Sequence, residues 1–159
     1  MARSDAALSR IDRKVLRELQ RDGRITYSEL AHRVGLSVSA CSERVRRLER
    51  DKVIRGYTAL VDAETVGRGL VVLVQVALVK NSQLAFHDFN RAVKLLPEVQ
   101  ECYLTSGNFD YLIKARVRDM HQYRTFLGET LLSLPGVLET VSHPVMEQVK
   151  ETLFLPVAD

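Results

Sequence analysis

The sequence predicts an α+β protein with two domains, a helical one first and a βαββαβ one second. Three observations predict this: apolar residues recur at helical spacing before residue 50, a Leu-Pro-x-Val string occurs twice after residue 95, and charge divides between the two parts. Residues 1–60 contain 14 Lys+Arg and 8 Asp+Glu (net +6), whereas residues 61–159 contain 9 and 12 (net −3). We place the domains at 1–60 and 61–159, and expect a polyanion such as nucleic acid to bind the first.

Composition excludes several classes of protein. Apolar residues make up 46% of the chain and charged residues 27%, which is typical of a globular protein. No run approaches the ~18 apolar residues of a membrane span, and no signal peptide is recognisable, so we expect a cytoplasmic protein. The two cysteines, Cys41 and Cys102, are far apart, so we expect neither a disulfide framework nor a metal site.

Two helices are predicted in the first forty residues. The first spans 9–20, with Ser9 as N-cap and Asp12 three residues later. The second opens with a capping box formed by Thr26 and Glu29, in which each side chain would satisfy a free backbone N–H. It ends at Gly35, where a left-handed backbone conformation is expected.

A third helix begins directly after this glycine, with Ser37 as N-cap. Cys41, Val45 and Leu48 repeat at helical spacing and mark its buried face, with Cys41 as an ordinary core residue. Two helices joined by a short glycine turn are typical of a helix-turn-helix, and residues 53–60 would follow as a short extended wing. The first domain is therefore predicted to be a winged helix-turn-helix.

The outward side chains of the third helix are the candidate DNA-binding residues. In this motif the second helix enters the major groove, with its first turns near base edges. We assign base contacts to Ser37, Ser39 and Ser42, and phosphate contacts to Arg46, Arg47 and Arg50. An arginine-rich helix can also be only a solvated face, supported by pairs such as Glu43 with Arg47.

The second domain contains an internal repeat with an offset of 38 residues. Strands are predicted at 70–79, 99–105, 111–117 and 137–149, with an amphipathic helix between the first two and between the last two. This order predicts a ferredoxin-like fold, an antiparallel sheet with both helices on one face. The helices carry these apolar stripes: Phe86, Phe89, Val93 and Leu96; then Met120, Tyr123, Leu127, Leu131 and Leu134.

Two further features of this domain suggest partners. The first strand is apolar on both faces, so we expect a homodimer with sheet packed on sheet. The loop at 106–110 carries Gly107 and Asn108, a good hairpin turn pair, followed by Asp110. Asp110 is either a turn residue or the partner of a ligand's ammonium group.

These motifs resemble the leucine-responsive/AsnC family of bacterial regulators. The resemblance covers nearly the whole chain, through residues 11–13, 19–25, 34–37, 41–49, 107–112, 134–137 and 145–150. It implies that double-stranded DNA is the partner of the first domain and that the protein is nucleoid-associated. It also implies that the second domain senses a free amino acid, with no other cofactor, and that dimers assemble into octamers or similar rings.

The resemblance also implies a ligand site between dimers, near the glycine-aspartate loop. The residues that it assigns there are Leu104, Gly107, Asn108, Asp110, Met120, His143 and Val145. Met120 and His143 can equally be read as ordinary core and surface residues. Val38 and Ala40 stand where relatives often have prolines, and His143-Pro144 replaces an aromatic-aliphatic pair. Pro144 should mark an edge strand or a bulge, because it cannot donate to a sheet.

Two other functions have weaker support in the sequence. An enzyme is not expected, since no catalytic triad, metal spacing or phosphate loop is present, and His32, His87 and His121 are predicted on the surface. The second alternative is an architectural DNA-binding protein whose second domain serves only assembly.

Overall fold

The computed structural model describes residues 8–79 and 83–158 and forms two compact units. One unit ends at Leu60 and also includes the chain from Lys150 onward, and the other is Val61–Val149. The predicted second domain continued to residue 159, whereas the terminal segment groups with the first unit. Residues 1–7, 80–82 and 159 of the predicted domain ranges lie outside the described residues.

Three helices form the first unit: α1 (Arg10–Arg21), α2 (Tyr27–Val34) and α3 (Val38–Arg50). They bury one apolar cluster, in agreement with the predicted faces. Its fully buried members are Val15, Leu30, Ala31, Val34, Cys41, Val45 and Leu48. Gly35 ends α2 with φ 74°, as the glycine turn predicted.

The helix caps follow from short-range sequence. The Ser9 hydroxyl accepts from the Asp12 N–H at 3.1 Å, and the Asp12 carboxylate accepts from the Ser9 N–H at 3.1 Å. The Thr26 hydroxyl accepts from the Glu29 N–H at 3.2 Å. The Glu29 carboxylate binds Arg33 at 2.8 Å, one turn later, so the reciprocal half of the predicted capping box is absent.

The predicted wing forms no strand within the described chain. Residues 53–54 bend, and 55–60 have no regular structure. Tyr57 donates to the Glu49 carboxylate of α3 at 3.0 Å, and burial together with this contact raises the pKa of Tyr57 to about 12. The terminal segment lies on α1, where Gln20 accepts from the Leu155 N–H at 2.7 Å and donates to its carbonyl at 3.0 Å.

The second unit has the predicted βαββαβ order. Its strands are β1 (Leu70–Leu78), β2 (Val99–Leu104), β3 (Tyr111–Val117) and β4 (Val137–Pro144), and its helices are α4 (Gln83–Val93) and α5 (Met120–Thr125). The strands are antiparallel in the order β2-β3-β1-β4, which confirms the ferredoxin-like fold. β4 is an edge strand, as Pro144 predicted, but the predicted end at residue 149 was wrong, because the strand ends at Pro144.

The helices pack on one face of the sheet. Alternate residues of β1 point into this core and are fully buried: Val72, Val74, Val76 and Leu78. The predicted apolar stripe of the second helix was wrong at Met120, which is 51% exposed, and it omitted the buried Phe126. After α5 the chain forms a π-helical turn, Phe126–Thr130, and a 3-10 turn, Leu131–Ser133, which change the spacing of the buried positions.

Candidate nucleic-acid interface and ligand site

The first turns of α3 present short hydroxyl side chains. Ser37 caps the helix by accepting from the Ala40 N–H at 3.3 Å, and its hydroxyl lies 3.2 Å from that of Ser39. Ser37 and Ser39 are exposed, whereas Ser42 is half-buried. The hydroxyl of Ser37 therefore serves the helix cap while it remains accessible from outside.

The three predicted phosphate-binding arginines divide into two kinds. Arg46 and Arg50 are exposed, and neither has an ion-pair partner among the described residues. Arg47 instead binds Asp12 of α1, with Nη2 at 2.8 Å from both carboxylate oxygens. Its side chain is still 45% exposed, because only one edge of the guanidinium is engaged. Arg47 thus contacts Asp12 of α1 and not Glu43, the partner that the helical spacing predicted.

Asp12 of α1 is buried, with only 2% of its surface exposed. Besides Arg47 it accepts from Arg44 Nη1 at 3.0 Å. Burial acts to raise the pKa of Asp12, but hydrogen bonds from Ser9 and Arg44 and the charge of Arg47 outweigh it, so the pKa of this carboxyl is lowered. The aspartate therefore stays ionised beneath two arginines of α3.

Sequence reasoning missed Asp12 and Arg44 as members of this surface. The sequence pattern gives Asp12 only a helix-capping role and gives Arg44 none. The spacing of Arg44 and Arg47, three residues apart, places them on one side of α3 and was the signal available. Their common partner lies on another helix, so the pattern within α3 could not identify it.

The loop between β2 and β3 is built around Asp110. Its N–H donates to the Val76 carbonyl at 2.9 Å, and its carboxylate accepts from the Leu78 N–H at 2.7 Å. The Thr105 N–H donates to the Asp110 carbonyl at 2.9 Å, and Gly107 has φ 136°. Asp110 is thus a turn residue, and only one of its carboxylate oxygens has a hydrogen-bond partner among the described residues.

Within one chain the predicted ligand residues fall into two separate groups. Leu104, Gly107, Asn108 and Asp110 lie at the end of the sheet where β1 finishes. At the other end, Val145 donates to the Val71 carbonyl at 2.9 Å and Met120 follows β3, whereas His143 pairs with Leu73, nearer the middle of β1. At about 3.3 Å per residue, Val71 and Val76 are roughly 16 Å apart, too far for one amino acid to span both groups. A single chain therefore does not bring all seven residues together.

The described residues form neither a metal site nor a membrane-spanning helix. No three of their His, Cys, Asp or Glu side chains come together as metal ligands would. No helix in this part of the chain is long and apolar enough to cross a membrane.

Comparison with known proteins decides the family. Residues 71–153 match the model of the Lrp/AsnC ligand binding domain, and residues 8–55 match that of a winged helix-turn-helix DNA-binding domain. The chain is 54% identical over 145 residues to the leucine-responsive regulatory proteins of Escherichia coli K12 and Klebsiella pneumoniae, covering 91% of this chain and 88% of each relative. The chain belongs to the Lrp/AsnC family.

Solved structures of two regulatory proteins have the same fold. A transcriptional regulator from Neisseria meningitidis, in complex with L-Met, aligns with a TM-score of 0.89 and 39% identity over 94% of this chain and 96% of that one. A feast or famine regulatory protein from M. tuberculosis, complexed with L-methionine, aligns with a TM-score of 0.87 and 35% identity over 96% and 100%.

Membership of the Lrp/AsnC family makes this chain a DNA-binding transcriptional regulator with a ligand-binding domain. The relatives are regulators, in agreement with the expectation against an enzyme. The α+β fold with its winged helix-turn-helix and ferredoxin-like domain is likewise confirmed.

Proposed function

We propose that this regulator binds double-stranded operator DNA through α2 and α3, and that a free amino acid bound near Asp110 alters that binding. Two features of the chain support the proposal. The α3 helix is exposed and rich in arginine, and in the second unit one carboxylate oxygen of Asp110 has no partner among the described residues. Solved regulators of the same fold hold L-Met, which supports an amino acid as the ligand class. We place the protein in the cytoplasm, associated with the nucleoid.

On DNA, the two kinds of side chain on α3 would act differently. Hydroxyls at the helix start suit base edges, and we assign this role to Ser37, Ser39 and Ser42. Arginines further along suit phosphates, and we assign this role to Arg46, Arg47 and Arg50. The net charge of +6 on residues 1–60 would draw this domain towards the duplex.

The ligand site would lie between chains. Because the two groups of ligand residues lie at opposite ends of the sheet, one chain would supply Leu104, Gly107, Asn108 and Asp110. A second chain would supply Met120, His143 and Val145. A ligand held in this way stabilises assembly, since each half of its site belongs to a different copy. We therefore infer dimers that associate further into octamers or similar rings.

The dimer would form through the open face of the sheet. Strand pairing places one residue from each strand in a row across this face: Tyr103, Leu112, Gln75 and Val141. Tyr103 is 53% exposed and Val141 is 44% exposed. Such a mixed apolar row is typical of an interface with another copy, and a two-fold dimer would present two α3 helices to a palindromic site.

Thermal melting of the purified protein against the twenty amino acids tests the sensing function. A ligand at 100 times its Kd adds about 2.7 kcal/mol to the folded state, which raises the melting temperature by several degrees. We expect one or a few amino acids to do so, with a change in assembly size by light scattering. If none does while DNA binding persists, the protein is an architectural DNA-binding protein and the sensing proposal is wrong.

Asp110→Asn separates the two tasks of this side chain. The amide oxygen can still accept from the Leu78 N–H, so we expect folding and DNA binding to remain, whereas the charge that would meet the ammonium is lost. The amino-acid-induced melting shift should disappear in this variant. The control is Asp88→Asn on the surface of α4, where the shift should persist; a retained shift in Asp110→Asn would remove Asp110 from the ligand site.

A further inference from the structure

An ion-pair cluster around the buried Asp12 joins α1 to α3. Asp12 is held in place by its helix cap, because the Ser9 hydroxyl and N–H bind it at 2.6 and 3.1 Å. Both carboxylate oxygens of Asp12 face α3 and accept hydrogen bonds from the guanidinium groups of Arg44 and Arg47. One end of each guanidinium is thereby fixed relative to the helix core.

The same arginines line an open groove on the protein surface. The groove has a volume of about 260 Å³ and is lined by Ala40, Glu43, Arg44, Arg47 and Arg50. Three arginines and one glutamate line the groove, and the ionised Asp12 lies beneath it. Their charges add up to +1. Arg44 and Arg47 are 31% and 45% exposed, so each has donors on the outer side as well as the contact with Asp12.

We propose that Asp12 is a positioning residue for a phosphate site, in which Arg44, Arg47 and Arg50 hold one phosphodiester of the DNA backbone. This inference rests on the proposed binding of DNA by α3. What is new is that Arg44 contacts the phosphate, that the contact lies in this groove, and that Asp12 orients the arginines. A planar guanidinium can bind a carboxylate along one edge and a phosphate along another. Asp12 thus orients the guanidinium groups before DNA arrives, which reduces the ordering that binding must impose.

Removal of the charge on Asp12 distinguishes positioning from simple electrostatics. Asp12→Asn deletes a negative charge near a polyanion, so charge alone predicts tighter DNA binding. Positioning predicts the opposite: weaker binding to selected and random duplexes alike, with the slope of log K against log salt reduced by about one unit for each phosphate that the variant no longer binds. Asp51→Asn is the matched control, since this exposed carboxylate at the end of α3 has no partner among the described residues.

Affinity is measured by fluorescence anisotropy over a salt series, at a temperature where melting curves show that each variant is folded. Weaker binding and a reduced slope for Asp12→Asn, with unchanged or tighter binding for Asp51→Asn, support the proposal. Unchanged or tighter binding by folded Asp12→Asn overturns it and leaves Asp12 with a role in stability only.

Arg47→Lys keeps the test valid if Asp12→Asn fails to fold. Lysine retains the charge beside Asp12 but lacks the second guanidinium edge, so we expect severalfold weaker binding and a normal melting temperature. Binding equal to the wild type contradicts the proposal. Failure of the broader function is recognised separately, because wild-type protein would then bind no duplex at all.

Discussion

Single residues of α3 differ in how freely they can meet DNA. Arg46 and Arg50 have no partner among the described residues, whereas Arg47 is tied to Asp12. All three are predicted to bind phosphates, because periodicity gives the direction of a side chain and not its partner on another helix. The buried Asp12 could not be recognised either, since its capping partner Ser9 already accounts for an aspartate at that position.

Arg46→Ala should weaken binding to specific and random DNA to a similar extent. The exposed guanidinium would contact phosphate and not a base, so the salt slope should fall by about one unit. Anisotropy titrations across salt concentrations measure both quantities. Arg24→Ala, an equal loss of charge from an exposed position outside α3, should have a smaller effect. An unchanged slope in Arg46→Ala would rule out its phosphate contact.

Acid should destabilise the DNA-binding unit through Asp12. Its pKa is lowered in the folded state, so the stability it contributes is complete above the unfolded value, about 3.9. That stability is lost as the pH falls through the lowered folded value. Urea unfolding between pH 7 and pH 2 measures this dependence, which should be smaller in Asp12→Asn. Equal acid dependence in both proteins would mean that other carboxylates account for it.

Among the helices and strands, the helix starts were predicted best, because they depend on N-cap residues close by in the sequence. Helices α1 to α3 are capped by Ser9, Thr26 and Ser37, and each cap hydrogen bond joins residues only three positions apart. The end of α5 was not predictable in this way. Its π-helical turn depends on how Phe126 and Leu131 fit the sheet, which is decided by packing between distant segments. β4 likewise ends at Pro144 although an apolar pattern continues beyond it.

Gly35→Ala should cost the protein about 1 kcal/mol, because the glycine has φ 74° and a Cβ disfavours that conformation. No atom lies within 4 Å of the added carbon, so the loss reflects backbone strain alone. Chemical unfolding followed by circular dichroism measures it. Gly128→Ala is the control: it is equally uncrowded and lies in a helical turn with negative φ, so its stability should be unchanged or higher. Equal losses in both variants would contradict this explanation.

At the scale of the whole molecule, fold and family were predictable and the arrangement of the ligand residues was not. Repeated strand-helix patterns indicated the sheet, and matching motifs along the chain indicated the family. Positions in the sequence do not show that two of the ligand residues, Val145 and Asp110, lie at opposite ends of a sheet. The terminal segment was assigned to the second domain because it follows β4, yet its backbone binds Gln20 of α1.

Val141→Asp should dissociate the proposed dimer. The side chain lies on the open face of the sheet and is 44% exposed, so a charge there is tolerated in a monomer but opposes burial against a second sheet. Sedimentation velocity should show a shift towards monomer. Leu84→Asp, on an exposed position of α4, should leave the assembly as it is. A Val141→Asp protein that sediments like the wild type would place the dimer interface elsewhere.

Amino-acid binding in one domain is proposed to change DNA binding by the other. The most direct measurement is the affinity for a duplex selected from a random library, with and without each amino acid that raises the melting temperature. We expect a change of roughly 5- to 150-fold, as is usual for coupled sites. The same change should be absent from Asp110→Asn. Identical affinity with and without a bound amino acid would show that the two domains act independently.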